Sequence, residues 1–265
     1  MIKITQLISL LMIAATCLIP AQGLQLQGAV WEAFPSPGDS LQYAMKVNLS
    51  QEESPTLITA SVMNCSQDGQ GTLLEESSSS SLSPPSAQPW ISLRLSNQSS
   101  QESSKTLSFT LQPGESREII ALAQIPQEES LKGGRYALIK FLSSPQQVSR
   151  HKIGQIQTQV ATDAFVSFDL GYEEFAAEIP ELSYIDGNLS MQLSNIGNMH
   201  FKPRILIETG SISKDLPAEN QPSILPGASR LIKLPLGLEP GSHEIKAQIF
   251  RNEELLAEKQ ISAEA

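Results

Sequence analysis

Two cysteines, three histidines and an aromatic share of 5% leave a chain of 265 residues little from which to build a reactive centre. Cys17 lies in an apolar N-terminal stretch and Cys65 alone lies in the body of the chain, which excludes a disulfide framework. A single thiol beside Asn64 at a strand end reads as a packed side chain. The histidines, His151, His200 and His243, stand on separate segments. His243-Glu244 opens like a zinc-protease helix, but Ala247 stands where the second ligand is needed and the surrounding alternation is that of a strand. No Gly-x-Ser-x-Gly elbow or phosphate-cradling loop is present, and Gly69-x-Gly71 continues to Leu74 where a dinucleotide fingerprint needs a small residue. The expectation is a chain with no catalytic residue, no cofactor and no metal. With so few rings a carbohydrate-stacking platform has little support: Trp90 reads as a core residue, while Trp31 is left open between core and surface.

Positive charge is also short, 18 basic residues against 28 acidic ones, for a net charge of −10. Arg150-His151-Lys152 is the longest basic run, so neither nucleic acid nor an anionic membrane surface is an expected partner. The paired acids, such as Glu52-Glu53, Glu128-Glu129 and Glu173-Glu174, read as solvated charge, because neighbours in a strand point to opposite faces and cannot converge on calcium.

Long apolar runs are absent apart from residues 7–19, which fall short of the ~20 residues a spanning helix needs. With Lys3 before it and Ala21-Gln22-Gly23 after it, this stretch reads as a secretory signal peptide over residues 1–23. Cys17 follows Ala14-Ala15-Thr16, where a lipobox has a large aliphatic residue first and a small one last, and its lipidation stays open. The mature chain is expected to be exported, to the periplasm, the cell surface or beyond, without a membrane span.

What is there in abundance is alternation broken by turns. In residues 107–141, Leu107, Phe109 and Leu111 occupy every second position, Pro113-Gly114 supplies a type II turn, and Ile119, Ile120, Leu122 and Ile125 resume. Gly133-Gly134 makes a second corner before Tyr136 to Phe141, whose Ala137, Ile139 and Phe141 form the more apolar face. The stretch reads as a three-stranded β-meander. Further strands are expected at residues 24–30, 41–49, 57–62, 90–95, 156–162 and 163–171, with a Ser/Pro-rich loop at 75–89. In the second half, residues 189–193, 204–208, 230–234 and 243–250 read as strands, and Asn195-Ile196-Gly197-Asn198 as a polar turn.

Pro226-Gly227-Ala228-Ser229-Arg230 repeats the grammar of Pro113-Gly114-Glu115-Ser116-Arg117, each ahead of an apolar strand and then a glycine corner. The duplication predicts an all-β chain of two tandem immunoglobulin-like sandwiches, residues 24–162 and 163–265, after the signal peptide.

Phe109-x-Leu111-x-Pro113-Gly114-x-Ser116, Ile125-Pro126 and Gly133-Gly134-Arg135-Tyr136-Ala137, with Asp68-Gly69 and Pro89-Trp90-Ile91 before them, resemble the immunoglobulin-like domain of exported prokaryotic surface proteins. The pattern is similar to the peptidoglycan-binding domain of WxL-type cell-wall proteins and more loosely to periplasmic pilus chaperones. Ser194-Asn195-x-Gly197-Asn198-x-His200-x-x-Pro203 resembles the domain that often follows. The resemblance implies a non-catalytic envelope protein acting in recognition, adhesion or assembly on a protein or cell-wall polymer, or alternatively a chaperone-like assembly factor. It departs from the WxL proteins in having no Trp-x-Leu motif, and from the chaperones in offering no aligned basic pair for a partner's carboxylate. Contact is expected at sheet edges, at the interdomain cleft and at the hairpin carrying Gly133, Gly134, Arg135 and Tyr136. Of the sequons at Asn48, Asn64, Asn97 and Asn188, Asn97 is the expected glycosylation site, in the most polar surroundings.

Overall fold

The computed structural model describes residues 23–76, 84–145, 160–210 and 212–265. The signal peptide with Cys17, the serine run of the 75–89 loop, His151 and most of the expected 156–162 strand lie outside them. The first half contributes β1 (Leu24–Gln27), β2 (Val30–Ala33), β3 (Ser40–Leu49), β4 (Thr56–Gln67), β5 (Leu73–Glu76), β6 (Ile91–Leu95), β7 (Thr106–Leu111), β8 (Ser116–Gln124), β9 (Gly134–Pro145) and β10 (Val160–Asp169). The second contributes β11 (Ala177–Ile185), β12 (Asn188–Asn195), β13 (Arg204–Glu208), β14 (Ser213–Leu216), β15 (Ser229–Pro235), β16 (Ser242–Arg251) and β17 (Glu254–Glu264). Among the described residues there is no α-helix, and hence none long and apolar enough to cross a membrane.

Two β-sandwiches result. The first packs a sheet of order β1-β3-β8-β6 on a sheet of order β2-β10-β9-β4-β5, in which β7 also pairs with β4. The second packs β11-β12-β15 on β14-β13-β16-β17. The duplicated grammar is visible in the pairing: β3 with β8, β4 with β9 and β9 with β10 correspond to β12 with β15, β13 with β16 and β16 with β17. Gly114 and Gly227, the glycines of the two Pro-Gly turns, adopt φ of +74° and +76°, which an L side chain resists.

Residues 107–141 do not form the expected meander. β7 pairs with β4 in one sheet, whereas β8 pairs with β3 and β6 in the other. The Pro113-Gly114 turn carries the chain between layers, so Leu107, Phe109 and Leu111 meet Ile119, Ala121 and Ala123 across the core instead of alongside. Alternation marks which face is apolar but not which strand lies beside it. β10 runs unbroken from Val160 to Asp169, across Asp163, and pairs along its whole length with β9.

Gly28, at φ +78°, lets the N-terminal segment leave one sheet as β1 and join the other as β2. Trp31 is thereby turned into the core, stacked on Tyr43 at 5.4 Å and edge-on to Phe168 at 4.9 Å. Trp90 is half-buried against the same core.

Cations tie down several loops and edges by donating to backbone carbonyls instead of carboxylates. The Lys105 ammonium donates to Gln88 (2.6 Å), Pro89 (2.8 Å) and Ile91, with burial holding its pKa below the ordinary lysine value. Lys105→Met keeps the stem and removes the donors, leaving three acceptors competing for water. A loss of about 1–3 kcal/mol is expected in urea unfolding.

Candidate functional site

β9 is buried on both sides. Ala137, Ile139 and Phe141 enter the core of the first sandwich, and Tyr136 and Leu138, on the other face, enter the core of the second together with Cys65. The two sandwiches therefore share a seam, built around the corner that the sequence offered as a contact surface. Gly133 sits at φ +67° and donates to the Gly171 carbonyl at 2.9 Å, while Gly134 donates to the Asn198 carbonyl at 2.9 Å. A Cβ at Gly133 would come within 2.6 Å of that same Asn198 oxygen. Arg135 turns its guanidinium back onto the Lys132 and Gly134 carbonyls, and burial lowers its pKa.

Tyr136 is fully buried, and its hydroxyl accepts the backbone N–H of His200 at 2.9 Å and lies 3.1 Å from His200 Nδ1. The Tyr136 ring stacks on Phe165 and meets the His200 ring edge-on at 5.6 Å between centroids. Burial pushes the phenol pKa up and the His200 pKa down. Of the four hairpin residues, Gly134 and Tyr136 thus bond directly to the 198–200 segment, while Arg135 bonds within the hairpin itself.

Asn195-Ile196-Gly197-Asn198, read as a polar turn, is the other side of this clasp. The Asn198 side chain accepts from the Glu174 N–H at 2.7 Å and donates to the Tyr172 carbonyl at 2.9 Å. Asn195, fully buried, donates to the Met199 and Ile224 carbonyls, each at 2.8 Å, and accepts from the Gly197 N–H at 2.9 Å.

Beside the seam opens a cleft of about 630 Å³ lined by Glu32, Asp169, Glu173, His200, Lys202 and Arg251 together with Phe34, which is 83% exposed. Asp169, nearly buried, accepts from the Gly171 N–H at 2.8 Å. Glu173 hydrogen-bonds Asp169, and that contact raises its pKa above the usual carboxylate range. The Arg251 guanidinium lies 3.3 Å from the Phe175 ring centroid and 3.7 Å from the Glu173 carboxylate. No group of three His, Cys, Asp or Glu that could hold a metal occurs among the described residues. His243 lies on β16, remote from His200 in the chain, with Nε2 2.7 Å from the Glu239 carbonyl.

β10 supplies a different feature. β2 pairs with it in parallel over residues 165–168 only, and Phe165 donates to the Ala29 carbonyl at 2.8 Å on that side. Backbone groups alternate in direction along a strand, so Asp163 and Ala161 carry their N–H and C=O toward the same edge as Phe165. Among the described residues no strand pairs with residues 160–164 there. Val160 and Val30, flanking this gap, are 43% and 54% exposed.

Three other edges, those of β6, β15 and β17, are covered or blunted. Leu93 on β6 exchanges both hydrogen bonds with Ser104, at 2.7 and 2.8 Å. β15 is met by the Gly69 carbonyl at the Leu231 N–H and ends in Pro235. Lys259 on β17 donates to the Ile179 and Pro180 carbonyls of β11.

Asn97 is exposed on the turn after β6, whereas Asn64 accepts from the Ser86 hydroxyl at 2.6 Å and is half-buried. Sequence reasoning missed Asp169, Glu173, His200 and Phe165 as neighbours; the one available signal was the run Tyr136 to Phe141, apolar at five of six positions and so suited to burial on both faces.

No protein-family model and no curated protein matches the chain. Solved structures with a similar course include a chain of the Salmonella enterica SafA pilin–SafB chaperone complex (10% identity, 92% of this chain and 97% of that one, TM-score 0.45). A chain from a chaperone–tip adhesin complex of CFA/I fimbriae biogenesis (12%, 91% and 98%, TM-score 0.43) and the E. coli chaperone DraB (15%, 92% and 98%, TM-score 0.39) are further examples. At these identities and scores the likeness places the chain in no family.

Proposed function

We propose that this chain is a non-enzymatic, exported polypeptide-binding protein that takes up an extended segment of a partner along the edge of β10, in the manner of an envelope assembly factor. The observation that carries this reading is the run at residues 160–164, to whose outer edge no strand pairs among the described residues and whose outward N–H and C=O groups at Ala161 and Asp163 are set in a strand paired along its whole length with β9. An added strand satisfies such groups with main-chain hydrogen bonds, and alternate side chains supply selectivity. Val160, Thr162 and Ala164 share the parity of Val166 and Phe168, which face the core, so an incoming strand with apolar residues at every second position extends that core. Two of the similar solved structures come from complexes of a chaperone with a tip adhesin and with a pilin, the kind of assembly this reading describes. Export, the signal peptide at 1–23, a division of the chain at the 171–175 connection and glycan attachment at Asn97 belong to the same proposal.

Asp163→Pro deletes one outward N–H without touching the β9 ladder, a substitution an edge strand accepts. The polypeptide that the wild-type protein recovers from envelope extracts is expected to be lost with Asp163→Pro and retained with Asp163→Asn, which keeps the N–H. Equal recovery by all three, with amides 161 and 163 still exchanging freely in the complex, rules the reading out.

A further inference from the structure

The bond between Tyr136 and His200 has a direction fixed by its surroundings. The Tyr136 hydroxyl already accepts the His200 main-chain N–H at 2.9 Å, and its own proton has His200 Nδ1 before it at 3.1 Å. Nδ1 is then an acceptor, and the ring is neutral with its proton on Nε2. A protonated ring carries a hydrogen on Nδ1 as well, so two donors face each other across the seam unless the phenol turns its proton away from His200. We propose that His200 is a proton-sensitive latch between the two sandwiches: neutral, it is held by Tyr136; protonated, it gives up that bond and loosens the seam.

The groups facing the latch come from every element around it. Glu32 on β2 and Asp169 on β10 favour the imidazolium, Lys202 opposes it, and burial opposes it most. Arg135 lies beside Tyr136 on β9, and Glu173 and Arg251 share the cleft. The balance lowers the His200 pKa, so the folded chain binds fewer protons than the unfolded chain just below the ordinary histidine value. Stability supplied by the latch is complete above about pH 6.5 and drains away as pH falls through the folded pKa. Each unit of depression corresponds to about a tenfold change in the closed-to-open ratio of the seam. Glu173 has the opposite sign: its raised pKa makes a contribution that is present at low pH and lost as pH rises through that value.

The test is a titration of the full mature chain between pH 8 and 5. Ring ¹⁵N and ¹³C shifts of His200 are expected to report the Nε2–H tautomer at pH 8 and a pKa below the ordinary histidine value. Distance between labels on the two sandwiches is expected to lengthen as His200 protonates in the wild type and in Glu173→Gln, and to stay constant in His200→Gln, which does not titrate. An Nδ1–H tautomer at pH 8 overturns the proposal even where the variant fails to fold, and so does a distance profile of His200→Gln that superimposes on wild type. The latch stands apart from strand addition at β10, which is read by Asp163→Pro and not by pH.

Discussion

Replacing Gly133 by alanine is expected to lower stability by about 3 kcal/mol or more and to pull the two sandwiches apart before either core melts. Two effects add at this position. Gly133 holds φ at +67°, where an L residue is disfavoured by roughly 1–2 kcal/mol. The new Cβ also falls 2.6 Å from the Asn198 carbonyl oxygen and 2.7 Å from its Cγ, a backbone atom and a side chain that cannot retreat because Asn198 is bonded to Glu174, Tyr172 and Gly134. Relief requires the 195–200 loop to move, and with it the partner of Tyr136. Calorimetry of the variant should resolve two transitions where the parent shows a single one, and a variant that melts in one transition at the parental temperature would refute the clasp.

The second large effect is expected at Asn195. Asn195→Ala takes from the Met199 carbonyl its donor at 2.8 Å and leaves the Ile224 carbonyl with only the Phe201 N–H at 3.3 Å and the Gly197 N–H with only the Ala176 carbonyl at 3.2 Å, in a place where Asn195 itself is wholly excluded from solvent. An unsatisfied buried polar group is unfavourable by about 1–3 kcal/mol, and one such group, with two lost hydrogen bonds of about 0.5–1.5 kcal/mol each beside it, predicts a loss of about 2–4 kcal/mol. Asn195→Asp keeps the acceptor for Gly197 but loses both donors, so it should fall between the parent and alanine only if protonated. Chemical denaturation of both variants at pH 5 and pH 8 checks the order.

Much of the architecture was legible because burial and alternation coincide. Residues 41–49 read as a strand of period two, and Met45, Val47 and Leu49, at every second position, are buried in β3. The Pro-Gly grammar located β8 and β15, since only a residue free to take positive φ closes such a turn tightly. β11 escaped notice because Pro180 interrupts it; a register shift between Glu178 and Glu181 absorbs the proline in an edge strand. β17, rich in Glu and Lys, carries little intrinsic strand preference and forms because it folds back on β16 through Asn252 at φ +53° and pairs along the full length of that strand. The contact residues proposed from the sequence lie at the seam for a reason the sequence does not carry. Gly133, Gly134 and Tyr136 have the composition of an exposed hairpin, and only the return of His200 and Asn198 from sixty residues downstream buries them.

That β9 serves two interiors at once bears on how such a chain could arise and be rearranged. A gene fragment ending near Gly171 would translate into a sandwich with Tyr136, Leu138, Cys65 and Phe165 stripped of their cover, a sticky flank of two aromatic rings and their neighbours. Despite their common blueprint the halves are not interchangeable cassettes: shuffled, duplicated or expressed alone, the leading one should precipitate unless its companion travels with it.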